Sequence, residues 1–386
     1  MSAASPSPAT TGASWPALII GAGPAGLATA GCLKQRGIGA LVLEAGPALG
    51  VSWRNHYDRL HLHTVKEQSH LPGLPFGDEL PRYVSRADFV AYLEAYAARF
   101  EIVPRTGEAV RRVASAGDGS FVVESAGGVH RARAVVVAAG FSRSPNPERL
   151  PQQEMFRGAL LHSAAYRNGA PFAGQRVLVV GAGNTGAEIA LDLVEHGAAP
   201  TLAVRAPINV VPRDFLGMPI QLTTIRLQRA PLKLADGVGR LAAWLAFGNL
   251  ARLGFPRAAM GPVSSIVKRR RIPLIDVGTI AAVKRGRIAV KPGVARLTEA
   301  GAVFADESAA DFDAVVLATG FRPALEDFLG VPGVLGEDGV PRGWRGGGAC
   351  PNLFFVGYEI VASGHLRQIA LRAEAVAAAL ARLGAK

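Results

Sequence analysis

Two glycine turns of identical spacing constrain this chain more than any other feature. Gly21, Gly23 and Gly26 follow the apolar run at 17–20, and Gly181, Gly183 and Gly186 follow the run at 177–180, both in the pattern G-x-G-x-x-G. Each run reads as a buried strand, the first glycine as a tight turn, the second as a point where a pyrophosphate can approach the backbone, and the third as a close strand-to-helix contact. The apolar stretch after each turn predicts a helix whose free N–H groups and dipole attract negative charge. One such turn is weak evidence, but two in 386 residues predict two nucleotide-binding folds and electron transfer between two dinucleotides.

The residue that closes the next strand separates the two sites. After the first turn, residues 39–43 predict a strand delivering Glu44, 18 residues beyond Gly26, and a carboxylate there suits ribose hydroxyls and repels a 2'-phosphate. The first fold therefore reads as the FAD site. After the second turn, a strand at 201–204 ends on Arg205, 19 residues beyond Gly186, where a guanidinium pairs with a 2'-phosphate. The second fold reads as the NADPH site, with Arg213 as the alternative phosphate partner. Asn184 in the second turn, Trp53 after the first, Gly140 and Gly320 at the ends of the matching runs AVVVAAG and AVVLATG, and Gly357 in NLFFVGY complete the expected cofactor contacts.

Composition narrows the partners. A net charge of +12 favours anions, whether phosphorylated cofactors, a membrane surface or nucleic acid. Nucleic acid is disfavoured, because the basic run at 268–271 has no interleaved aromatics and no reader motif; that run reads as a solvated face first and an extra phosphate contact second. Cys32 and Cys350 stand far apart, which removes a disulfide framework, zinc spacing and a C-x-x-C redox pair. His56, His61, His63 and His70 lack the carboxylates of a metal set, so no metal is expected. Residues 1–14, rich in Ser, Ala, Pro and Thr, read as a disordered tail without a signal sequence, and no run reaches a membrane span, so a cytoplasmic protein is expected. The oligomeric state is left open, a homodimer included.

Along the chain, Ser85 and Asp88 predict a capped helix, residues 102–106 a strand, and residues 121–124 with 130–137 a hairpin around Gly127 and Gly128. The apolar segment at 231–261 predicts helix, packed as core by default, with a substrate lid or a membrane-surface patch as the sharper alternatives.

Phe156, Gly158, His162 and Tyr166 match F-x-G-x-x-x-H-x-x-x-[YF] ahead of the second turn, the fingerprint of class B flavin-dependent monooxygenases. Within that class the chain resembles the YUCCA-type enzymes of plants and bacteria, through segments such as YDRLHLHTVKEQSHLPGLPF, VRAPINVVPRDFLG, IPLIDVGTI and FDAVVLATGFRP in family order. The resemblance implies bound FAD, NADPH as reductant, dioxygen activated as a C4a-(hydro)peroxyflavin, and oxidative decarboxylation of indole-3-pyruvate or a related 2-oxo acid. Departures are EIVASG at 359–364, where the family commonly has a basic glycine-rich turn, and His63 to Val65, where many class B enzymes carry an asparagine.

The expected fold is α/β: an FAD domain at 15–155 and 326–386, with an NADPH domain at 156–325 inserted into it. His162 and Tyr166 are expected to organise the domain interface and position cofactor. The resemblance places Trp53, Leu62 and Phe215 as apolar neighbours of an aryl 2-oxo acid, and Lys66 and Arg213 as its carboxylate partners. Alternatives from the same machinery are an N- or S-oxygenating monooxygenase and an NADPH:acceptor reductase; a redox-sensing or scaffold flavoprotein is the non-enzymatic one.

Overall fold

Two parallel sheets, each with a glycine turn at its carboxyl edge, organise the computed structural model, which describes residues 10–348 and 350–384. Its helices are α1 (Pro24–Lys34), α2 (Val51–Arg54), α3 (Arg86–Arg99), α4 (Asn184–Glu195), α5 (Ile220–Arg226), α6 (Leu232–Phe247), α7 (Pro262–Arg269), α8 (Thr279–Lys284) and α9 (His365–Gly384). In the first sheet the order is Leu353–Phe355, Val135–Val137, Ala17–Ile20, Ala40–Leu43, all parallel. Ala17–Ile20 and Val135–Val137 are buried throughout, as a parallel sheet covered on both faces requires. Helix α1 is rich in alanine and glycine, which lets α9 approach it closely; Leu366, Ile369, Ala373 and Val376 of α9 share its core.

The second sheet runs Ala289–Pro292, Ala199–Val204, Arg176–Val180, Ala314–Leu317, Ala159–His162, again parallel. An antiparallel sheet of Val294–Leu297, Gly301–Phe304 and Ala309–Asp311 closes one of its faces through Leu297, Phe304 and Phe312. The chain passes between the two sheets twice, and the passages are stitched together. Ser144–Pro145 pairs with Phe321–Arg322, and the Asn146 side chain donates to Thr319 O at 2.9 Å.

Three expectations about elements are corrected. Of the expected tail at 1–14, residues 1–9 lie outside the described residues, whereas Thr10–Trp15 adds a parallel strand to the edge of Gly128–Ala132. Backbone pairing at a sheet edge is indifferent to the small polar composition that suggested disorder. The strand at 102–106 shrinks to a single bridge, Leu43 to Arg105, because Pro104 has no N–H to donate. The limb at 130–137 is two strands in two sheets: Gly128–Ala132 completes the hairpin with Phe121–Ser125, and Val135–Val137 enters the first parallel sheet. The cap on α3 is as expected, with Asp88 N donating to Ser85 Oγ at 3.1 Å.

Candidate active site

The two glycine turns are built alike, bond for bond. Gly21 N donates to Leu43 O and Gly181 N to Ala203 O, joining each turn to the next strand. Ala138 N donates to Ile20 O and Ala318 N to Val180 O, joining it to the strand on the other side. A Cβ on Gly21, at φ 104°, would stand 2.5 Å from Ala138 O, and one on Gly181, at φ 113°, 2.5 Å from Ala318 O. A Cβ on Gly26 or Gly186 would collide with the carbonyl of Gly21 or Gly181. Around Gly23 and Gly183, in contrast, no atom beyond the adjoining residues of the chain lies within 4 Å of such a Cβ. The outer glycines thus serve the packing of the turn, and the middle one borders open space at a helix N-terminus, the shape a pyrophosphate needs. Gly140 and Gly320, at φ 91° and 89°, end the two matching strands, and Gly357, at φ 91°, lies 3.3 Å by its would-be Cβ from Ala25.

Glu44 sits where its spacing predicts, but the turn itself uses the carboxylate. It is buried, and its oxygens accept from Ala22 N at 2.7 Å and Gly46 N at 2.9 Å. The glycine loop is held from below by this bond, and each oxygen keeps one further lone pair for a ribose hydroxyl.

Beside the second turn lies a cavity of about 720 Å³, lined by Gly181, Gly183, Arg205, Arg269, Arg271 and Thr319. Arg205 is exposed at the end of Ala199–Val204 and pairs with Glu148 on the same cavity wall. The basic run at 268–271 is divided: Arg269 and Arg271 face the cavity, and Arg270 pairs with Asp338 at 3.0 Å. Buried hydroxyls without partners stand at this sheet edge, namely Ser163 Oγ and Thr319 Oγ1. His162 Nδ1 accepts from Ala164 N at 3.1 Å, which puts the ring hydrogen on Nε2, toward the Gly320 carbonyl, and burial outweighs that contact and holds the imidazole below its ordinary range.

A second, apolar cavity of about 240 Å³ opens where the 63–64 loop, α4, α5, α6 and the 360–365 segment meet. At roughly 30 Å³ per water it holds a small organic molecule. The EIVASG departure explains its lining: Ile360, Val361 and Ala362 face it, while Glu359 is clamped by Arg372 through bonds of 2.7 and 2.6 Å. Asn184 and His365, at the N-termini of α4 and α9, stand on its wall. So does His63, whose Nε2 donates to the buried Glu188 carboxylate at 2.6 Å, leaving Nδ1 as the other ring nitrogen. Gln221 closes the floor by accepting from Val65 N at 2.9 Å and donating to Ser363 O at 2.7 Å.

His63, Glu188 and Gln221 were not among the expected site residues. A signal for Glu188 was present: Glu188 and Asp192 sit four apart in the apolar helix GAEIALDL, so two carboxylates share one buried face. Each takes a tyrosine, Tyr57 OH to Glu188 at 3.2 Å and Tyr166 OH to Asp192 at 2.6 Å.

Several expected residues are occupied elsewhere. Lys66 donates to the carbonyls of Gly77, Asp78 and Leu80 at 3.0, 3.1 and 2.7 Å, which uses its three ammonium hydrogens and makes it a loop clamp rather than a carboxylate partner. Arg213 stacks on Tyr83 at 4.0 Å and bonds Asp214 at 3.4 Å, and it lines neither cavity. Trp53 packs edge-on to Phe89 at 4.4 Å, Leu62 is buried in the core of the first sheet, and Phe215 sits on a short hairpin; none faces the apolar cavity. Tyr166 is a core residue stacked on Phe172 in the buried cluster that also holds Ala182 of the second turn, and its hydroxyl is taken by Asp192 of α4. Asn184 spends its amide on Pro273 O and Ile275 N, at 3.3 and 2.7 Å. Cys32 and Cys350 are both buried, and burial pushes the Cys32 thiol up to about 12, far from a reactive thiolate at neutral pH.

Residues 18–215 match the family model for pyridine nucleotide-disulphide oxidoreductases. Among curated proteins, the indole-3-pyruvate monooxygenase YUCCA1 of Oryza sativa subsp. japonica is 41% identical over 86% of this chain and 84% of its own length. A probable indole-3-pyruvate monooxygenase YUCCA1 of Arabidopsis thaliana is 38% identical, with 88% and 84% covered. Among solved structures, a flavin monooxygenase from Stenotrophomonas maltophilia superposes with a TM-score of 0.74 at 25% identity, covering 95% of this chain and 98% of that one. A steroid monooxygenase bound to NADP shares the fold, with a TM-score of 0.75 at 19% identity and 96% and 86% covered.

Proposed function

We propose, for a chain that belongs to the YUCCA-type flavin-dependent monooxygenases, that its reaction is the oxidative decarboxylation of an aryl 2-oxo acid, with indole-3-pyruvate as the first candidate. The enzyme is an oxidoreductase that uses FAD and NADPH. When bound, FAD supplies oxygen activation and NADPH the hydride; binding, orientation and exclusion of water fall to the protein. We assign FAD to the turn at Gly21, Gly23 and Gly26 with Glu44, Gly140 and Gly357, and NADPH to the turn at Gly181, Gly183 and Gly186 with Arg205 and Gly320. The NADPH domain is then an insertion in the FAD domain, an arrangement supported by the return of Leu353–Phe355 to the first sheet.

The observation that carries the substrate class is the apolar cavity with a histidine on its wall, adjoining the second glycine turn. An aromatic ring fits its aliphatic walls. The substrate carboxylate is assigned to the N-terminus of α9, with His63 contributing Nδ1–H when its ring carries both protons beside the Glu188 carboxylate, since Lys66 and Arg213 are spent elsewhere. The Glu188 carboxylate fixes the ring orientation of His63. The test is stoichiometry: indole-3-pyruvate should give indole-3-acetate with one carbon dioxide per NADPH consumed. No carbon dioxide from any 2-oxo acid, with efficient oxygenation of an amine or sulfide, would overturn the assignment; among the described residues no lysine or arginine lines this cavity, which is what a neutral substrate would need.

Cofactor preference follows from Arg205. Arg205→Glu replaces a charge-assisted partner of the 2'-phosphate by a repelling carboxylate, so NADPH efficiency should fall by about 1.4 kcal/mol, roughly tenfold, with NADH little changed. Equal losses with both nucleotides would move the discriminating role to Arg269 or Arg271, which line the same cavity.

A further inference from the structure

We propose that the face built by α6 and the basic segment around it docks on an anionic lipid bilayer surface. Helix α6 turns one stripe inward and the opposite one to solvent. Ala235, Gly239 and Ala242 are buried, whereas Leu234, Leu241, Trp244 and Leu245 are 55%, 57%, 63% and 56% exposed. At about 100° per residue these four span roughly 100° of the helix surface. Val267 and Ile272, in and after α7 packed beside α6, are 60% and 53% exposed.

Charge complementarity selects the occupant. Between positions 220 and 272 the chain carries ten arginines and lysines and one acid, Asp236, which accounts for nine of its twelve net positive charges. Asp236 is turned inward, accepting from Val263 N at 2.9 Å and Ser264 N at 3.0 Å. Among the described residues, Arg270 alone of the ten basic side chains has a carboxylate within ion-pair distance. Arg269 and Arg271 face the nucleotide cavity, which leaves Arg226, Arg229, Lys233, Arg240, Arg252, Arg257 and Lys268 uncompensated around the apolar stripe. Lys233 and Arg240 flank the stripe on the Trp244 side by helical spacing. Exposed leucines with one tryptophan, rimmed by unpaired cations, are the composition of a helix lying in a membrane interface. A second copy of this chain would bring the same uncompensated cations against each other, which disfavours self-association through this face. Val238, beside the stripe on α6, lines the apolar cavity, so the docked face brings the cavity wall to the lipid boundary.

The test uses the full-length flavoprotein and vesicles of phosphatidylcholine with or without phosphatidylglycerol. Sedimentation with the anionic vesicles at low salt, absent with phosphatidylcholine alone and lost in high salt, is the expected result, accompanied by a blue shift of tryptophan emission that Trp244→Phe removes. The triple variant Leu241→Gln, Trp244→Gln, Leu245→Gln and the charge variant Arg229→Gln, Lys233→Gln, Arg252→Gln should each weaken partitioning at least tenfold, with flavin content unchanged because none of these residues belongs to the first glycine turn, its parallel sheet or the helices α1 and α9 that pack on it. Absence of binding to anionic vesicles, or binding that neither variant weakens, overturns the proposal. So does a dimer in light scattering that the apolar variant turns into a monomer, since the occupant is then a second copy of the chain.

Discussion

Gly23→Val is expected to give a folded protein that has lost its flavin. Gly23 stands in extended backbone, φ −81° and ψ −172°, which any residue adopts, and no atom beyond the adjoining residues of the chain lies within 4 Å of the position its Cβ would take. The added Cβ therefore points into open space rather than at a packed neighbour, and the branched side chain it carries is set against the group that approaches the N-terminus of α1. Flavin content after purification should fall at least about tenfold, equivalent to ~1.4 kcal/mol or more of binding, while the circular dichroism spectrum stays native. Gly26→Val is the contrasting variant: its Cβ would collide with the Gly21 carbonyl, so it should fail to fold. Full flavin retention in Gly23→Val would show that the first turn does not hold FAD.

Glu188→Leu should lower both stability and turnover. Glu188 is 3% exposed on α4 and takes bonds from Tyr57 at 3.2 Å and His63 at 2.6 Å, with Arg59 at 3.9 Å, all from the loop that follows α2. Arg59 keeps its two bonds to Glu195, at 2.8 and 2.9 Å, but the Tyr57 hydroxyl and His63 lose their partner. Leaving such groups unpaired in the interior costs on the order of 2–4 kcal/mol. With His63 released from its fixed orientation, NADPH-coupled product formation should also drop by roughly tenfold or more. Glu188→Gln keeps one acceptor oxygen and should recover part of both losses. An unchanged melting temperature together with unchanged coupling in Glu188→Leu would mean that the carboxylate anchors nothing.

What the sequence determined by itself is local and stereochemical. The two turns were legible because a G-x-G-x-x-G spacing encodes its own geometry: Gly21 and Gly181 need positive φ, Gly26 and Gly186 need a missing Cβ against a carbonyl five residues back, and the strand before each turn is apolar because both sheet faces are covered. The Ser85 cap is of the same kind, a bond spanning three residues. Glu44 and Arg205 were found by counting along one strand and one helix, whose rises are fixed. The cavities were not legible in this way. Lys66 and Arg213 carry the charge a carboxylate needs, yet the ammonium of Lys66 is taken by carbonyls 11 to 14 residues along the chain and the guanidinium of Arg213 by Tyr83, on a distant loop. His63 was marked only as a departure from a family pattern and Gln221 by nothing at all, because their partners lie 125 and 156 residues away. A side chain offers the same donors and acceptors wherever it stands in the sequence, and only the tertiary structure decides which of them are already satisfied and which are left to face a ligand.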